Sequence, residues 1–99
     1  MLEVTIFLDE DDIYLGKPMH EHIMHYLMHH EIIGASLFAA MGGYGHKRHL
    51  HYPKKIGAAD EVPLMILIVD EEPKIHSVLP HLKEVVKEGI IIVKKAERA

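Results

Sequence analysis

Residues 42–51 (GGYGHKRHLH) gather most of the groups in this chain that could do chemistry. Gly42, Gly43 and Gly45 allow tight bends and let a ligand approach backbone amides with no Cβ in the way. Lys47 and Arg48 add permanent cations, while His46, His49 and His51 add protonatable rings. Clustered cations on a glycine-rich loop suit a phosphate-bearing ligand, with Arg48 able to grip phosphate oxygens through two parallel hydrogen bonds. Gly42 and Gly43 would present amides, and Tyr44 would either stack on a base or pack at a seam between subunits. A solvated hairpin loop has the same composition, so the surrounding elements must decide.

Other segments carry weaker chemical signals. Gly16-Lys17-Pro18 reads as a helix start, where aligned amides favour an anion, or as plain loop. Asp9-Glu10-Asp11-Asp12 could coordinate Mg2+ or contact ribose hydroxyls, or form a solvated acidic turn. Of ten histidines, His49 and His51 could share one side of an extended segment and bind a metal. His25 and His29, at i and i+4, have workable metal spacing, but no third ligand follows at a fixed distance. An exposed helix face that protonates below about pH 6.5 is the ordinary alternative.

Ninety-nine residues make a single domain, 1–99, and 48% apolar content argues for a packed core. The net charge of −4 is segregated: the acidic run stands apart from Lys47, Arg48, Lys54 and Lys55. A basic loop on an acidic body suits a small anion better than nucleic acid. No cysteine is present, so disulfide and thiolate chemistry are excluded. The apolar runs at 64–69 and 90–93 are too short to cross a bilayer, so no direct membrane insertion is expected. The opening Met1-Leu2-Glu3-Val4 lacks the basic flank of a signal peptide, and the expected location is cytoplasmic. Absence of Asn and Gln beside Lys/Glu enrichment points to a thermophile source, against which six methionines weigh.

Leu2, Val4, Ile6 and Leu8 alternate as a strand. The acidic run and Gly16 break it, and Pro18 is expected as the first helical residue. From 19 to about 32 the spacing is helical, with Met19, Ile23, Tyr26 and Leu27 on one stripe and His22, His25 and His29 opposite. Gly34 is expected to end that helix. A second strand is predicted over 35–41 and a third over 62–70. A second helix follows Glu71-Glu72-Pro73 and runs to Gly89, with a kink or restart at Pro80, because an interior proline costs roughly 3 kcal/mol. Residues 90–93 make the fourth strand.

The order βαββαβ predicts an α+β, ferredoxin-like fold: an antiparallel four-stranded sheet with two helices on one face. The uncovered face should then alternate to polar residues, yet 64–69 and 90–93 are apolar at every position. Exposing about five large aliphatics, each worth roughly 1.5–3 kcal/mol, would consume much of a small domain's stability. The pattern predicts a neighbouring subunit over that face.

With this topology and glycine loop, the chain resembles the PII-like proteins, and within them a family catalogued as a domain of unknown function related to nitrogen-regulatory PII. The matching stretches are Asp12 with Gly16-Lys17-Pro18 and Ile23, then Gly42 to His49, and Val62-Pro63 through Leu67 to Val69-Asp70. The resemblance implies a homotrimer with inward-facing sheets. It implies binding of AMP, ADP or ATP at clefts between subunits, and signalling rather than turnover. It places Gly42, Gly43, Tyr44 and Gly45 in the cleft, with a neighbour's contribution from around Gly89 and Lys94. Relatives are associated with membrane ion channels or transporters, which no residue here encodes. The chain also departs from PII: the phosphate loop before the last strand shrinks to Lys87-Glu88-Gly89, and no glutamine exists to serve 2-oxoglutarate or its metal.

Enzyme readings find little support. Acylphosphatases share the topology but need an asparagine, and no nucleophile elbow or Walker lysine motif is present. The strands lack the paired aromatics with which RNA-recognition domains stack bases. The sequence reading is therefore a PII-like nucleotide-binding regulator, not an enzyme. Its candidate site is Gly16, Lys17, Gly42, Gly43, Tyr44, Gly45, His46, Lys47, Arg48, His49 and Lys94, and its 42–60 loop meets a partner. The competing reading is a divalent-metal-binding trimer resembling the divalent-cation-tolerance proteins, with His49 and His51 as ligands.

Overall fold

Alternating apolar residues in β1 (Leu2–Asp9) and an unbroken apolar run in β5 (Pro63–Asp70) build the two long central strands, as seen in a computed structural model that describes residues 1–52 and 62–99. Between them lie β2 (Ile13–Tyr14), β3 (Lys17–Pro18), α1 (Met19–His29) and β4 (Ala35–Ala39); α2 (Glu72–Val85) and β6 (Ile90–Lys95) follow. The main sheet has the order β4-β5-β1-β6, with every neighbouring pair antiparallel. Leaving aside the short β2–β3 hairpin, this is the βαββαβ arrangement expected from the sequence. Lys54 and Lys55, and most of the second half of the 42–60 loop, lie outside the described residues.

The period of two decides which side chains meet the helices. Val4, Ile6, Ile66 and Ile68 point inward against Ile23 and Leu27 of α1 and Ile75, Val78 and Leu82 of α2, all at 1% exposure or less. The alternate residues line up in rows across the opposite face. One row is Phe38–Met65–Phe7–Ile90, the next Ser36–Leu67–Thr5–Ile92, and a third ends in Glu3–Lys94. Phe7, Phe38, Ile90 and Ile92 keep 41–59% of their surface exposed. An apolar, uncovered face is therefore present.

Several local expectations are corrected. Pro18 stands just before α1 rather than inside it, because residues 13–18 fold into the hairpin β2–β3. Leu15 and Gly16 form its two-residue turn at φ 49° and 78°, the geometry favoured by strand twist. α1 stops at His29, before Gly34; the chain turns away through Glu31 at φ 60°. α2 runs unbroken across Pro80, whose ring faces solvent. Burial of Val78, Leu79 and Leu82 on either side offsets the roughly 3 kcal/mol that an interior proline costs. That helix ends at Val85, four residues short of Gly89.

The histidines of α1 also divide differently. His22 is partly buried and meets His81 of α2, Nε2 to Nε2 at 2.9 Å, within a ring cluster that includes Tyr14 and Tyr26. The His29 ring bonds the His25 carbonyl through Nδ1 at 2.7 Å.

Candidate functional site

Three segments converge at one end of the sheet: the end of β1 with its acidic turn, the glycine loop after β4, and the turn before β6. Pairing dictates the convergence, since Asp9 lies opposite Pro63 and Phe7 opposite Ile90. The glycine loop is closed by two reciprocal bonds, Gly43 N–H to the His51 carbonyl at 2.9 Å and His51 N–H to the Gly43 carbonyl at 2.8 Å. Inside it, the Arg48 amide donates to the Gly45 carbonyl at 2.9 Å. Each glycine has a distinct reason. A Cβ on Gly42 would press on the His51 carbonyl and the Tyr52 ring at 3.2 Å, and Gly43 sits at φ 142°. A Cβ on Gly45 would overlap the Asp9 carboxylate.

The acidic run and the basic loop, segregated in sequence, meet here. His46 Nε2 lies 3.2 Å from Asp12 Oδ1 and 3.4 Å from Asp9 Oδ2, while its Nδ1 faces Glu88 at 3.5 Å. Lys47 Nζ binds Asp11 at 2.7 Å and Asp12 at 3.4 Å. Asp9 is 2% exposed, and burial pushes its carboxyl above the ordinary range, with the Asp12 charge adding to the effect. Burial also acts upward on Asp12, but the Asp9 amide, His46 and Lys47 outweigh it and hold that carboxyl low. Hydrogen bonding to Asp11 raises the Lys47 ammonium above its usual value, against a smaller loss from burial.

Two clefts flank Glu88 and Gly89. One, of about 480 Å³, is walled by Asp9, Tyr44, Gly45 and His46 on one side and by Phe7, Gly89 and Ile90 on the other. It opens at the edge of the exposed apolar face. The other, of about 470 Å³, takes Asp12, Lys47 and Glu88 with Ile13 and Tyr14 of the hairpin. Of the residues singled out in the sequence, Tyr44, Gly45, His46 and Lys47 thus line clefts. Arg48 is exposed at φ 59° and makes no ion pair among the described residues. Gly16, in the turn of the β2–β3 hairpin, and Lys17, in its second strand, line neither cleft. Lys94 pairs with Glu3 at 3.3 Å, two rows along β6 from Ile90. His51 serves the loop closure, and His49 is exposed.

Asp9, Asp12 and Glu88 share a site with His46 that no local sequence pattern announces. The acidic run was visible, but its partners are 34 positions or more away and only strand pairing brings them close.

The comparisons with known proteins agree with this architecture. A UPF0166 protein of Aquifex aeolicus is 31% identical over 80 residues, covering 81% of this chain and 76% of its own. A second UPF0166 protein, from Methanocaldococcus jannaschii, is 36% identical over 91 residues, covering 91% and 83%. Among solved structures, CutA1 from Pyrococcus horikoshii superposes with a TM-score of 0.63 at 14% identity, covering all of this chain and 86% of that one. CPII, a nitrogen regulatory PII-like protein from Thiomonas intermedia K12 solved with ADP, AMP and bicarbonate, gives 0.52 at 17% identity over 94% and 82%. At such identities the likeness is one of fold. The profile of DUF190, described as "Uncharacterized ACR, COG1993", matches residues 1–98, and the chain belongs to that family.

Proposed function

We propose that this protein is a non-enzymatic, PII-like regulator that binds an adenine nucleotide in clefts completed by neighbouring copies of itself in a homotrimer. One observation carries the reading: the 480 Å³ cleft between residues 44–46 and Gly89–Ile90 opens onto the rim of the bare apolar sheet face. A subunit covering that face supplies the cleft's missing wall. Arg48 extends the same loop without an ion pair among the described residues, which leaves its guanidinium for phosphate oxygens. Lys47 already neutralises Asp11 and Asp12 and contributes less. The ADP and AMP named for the PII-like CPII structure support the choice of ligand class.

In this reading the 42–60 loop signals by holding two conformations with different nucleotide affinities, one of which meets a protein partner. A membrane channel or transporter is the class of partner that the PII resemblance implies. No helix among the described residues is long and apolar enough to cross a membrane itself.

Calorimetric titration with AMP, ADP and ATP tests the proposal. Micromolar binding of at least one nucleotide is expected, weakened about tenfold or more in Arg48→Ala, the scale of a lost charge-assisted pair. Absence of heat with all three nucleotides overturns it.

A further inference from the structure

The two buried carboxylates at the strand ends behave differently. Asp70, 2% exposed, has both oxygens committed: Oδ1 accepts the Glu71 amide at 2.7 Å and Oδ2 the Ile33 amide at 3.1 Å. It pins the start of α2 to the loop after α1. Asp9 is equally buried, yet among the described residues its Oδ1 has no hydrogen-bond partner and its Oδ2 meets a single polar group, His46 Nε2 at 3.4 Å. A buried carboxylate left half-satisfied is costly unless a cation completes it.

His46 poses the complementary problem. A neutral imidazole carries one N–H, but carboxylate oxygens stand at both of its nitrogens: Asp9 and Asp12 at Nε2, Glu88 at Nδ1. One nitrogen would therefore turn a lone pair toward an anion. A metal at Nε2 with the proton on Nδ1 resolves this, and Glu88 behind the ring is the carboxylate that commonly orients a ligating histidine.

We infer that Asp9, Asp12 and His46 form a binding site for a divalent transition-metal ion, of the zinc or cobalt class. The spacing fits. Two ligand atoms each about 2.1 Å from a tetrahedral metal lie about 3.4 Å apart. Nε2 stands 3.2 and 3.4 Å from the two carboxylate oxygens, and one ligand atom from each of the three residues falls within a mutual 4.8 Å. An imidazole donor selects zinc, cobalt or nickel over magnesium. Lys47 would leave Asp12 on metal binding but keep Asp11 at 2.7 Å. Three protein ligands leave a coordination position open, and Asp9 and His46 both wall the 480 Å³ cleft. This site differs from the His49/His51 pair of the sequence reading and stands whether or not a nucleotide binds.

Titration of the full chain with Co2+, followed by visible absorption, and with Zn2+, followed by calorimetry, tests the inference without nucleotide present. One ion per chain is expected at micromolar Kd, with the d–d bands of a nitrogen/oxygen site. His46→Ala and Asp9→Asn should each weaken binding by more than about tenfold, since loss of even an outer-shell partner of a ligand costs about that much. His49→Ala, His51→Ala and His25→Ala should leave it unchanged. Circular dichroism of each variant separates a lost ligand from a lost fold. If Asp9→Asn does not fold, His46→Ala and Asp12→Asn decide. Wild-type chain that binds no ion below about 100 μM, roughly −5.5 kcal/mol, would show that a proton alone fills the site and overturns the proposal. So would binding that survives His46→Ala.

Discussion

The α-carbon of Gly45 rests directly against the carboxylate of Asp9, the loop and the strand end touching with no side chain between them. A Cβ at Gly45 would come within 2.7 Å of the Asp9 carboxyl carbon, and Asp9 is too short and too buried to swing aside. Gly45→Ala is therefore expected to lift residues 44–47 off β1, costing about 1–3 kcal/mol by overpacking. Urea unfolding gives the stability, and the same variant should lose both the His46–Asp9 contact and nucleotide affinity. A stability change under about 0.5 kcal/mol, the range of ordinary surface substitutions, would show that the contact does not hold the loop.

The exposed row Phe38–Met65–Phe7–Ile90 makes a second prediction, about assembly. Met65→Lys puts a charge at the centre of the face while sparing the helix-covered core. Sedimentation at micromolar concentration is expected to show a trimer for the wild type and a folded monomer for Met65→Lys. Wild-type protomers that stay monomeric would remove the shared cleft and with it the nucleotide proposal.

The His22–His81 contact makes stability depend on pH. Burial lowers the His22 imidazole below its ordinary value, and the nearby charges of His81, Lys17 and His25 lower it further. The native state thus holds this proton less tightly than the unfolded chain does. Its contribution is complete above the ordinary imidazole range near pH 6.5 and is lost as pH falls through the native value. Urea midpoints should therefore fall more steeply between pH 7 and 5 in the wild type than in His22→Phe, which keeps a ring in the cluster. Equal slopes would rule out His22 as the group responsible.

Leu15 is 83% exposed at φ 49°, a backbone region that costs an L side chain roughly 1–2 kcal/mol. Leu15→Asn, the residue suited to this hairpin turn, should raise stability by about 0.5–1 kcal/mol. A lowered melting temperature would mean that the leucine packs against another subunit.

The sequence by itself determined the layers of this protein. Alternation at Leu2–Leu8, helical spacing at Ile75–Val85 and unbroken apolar runs in the last two long strands are local patterns, so the βαββαβ order and the greasy second face could be read from them. Local signals misled where packing outweighed propensity: Pro80 inside α2, Gly34 beyond the end of α1, and Pro18 just outside it. Tertiary structure alone decided which charges meet. Nothing near His46 in the chain announces Asp9 and Asp12, and nothing near His22 announces His81. Those pairings follow from strand register and helix docking, which fix contacts between residues 34 to 59 positions apart. A one-residue slip of β1 against β5 would turn its side chains to the other face and take Asp9 out of the site.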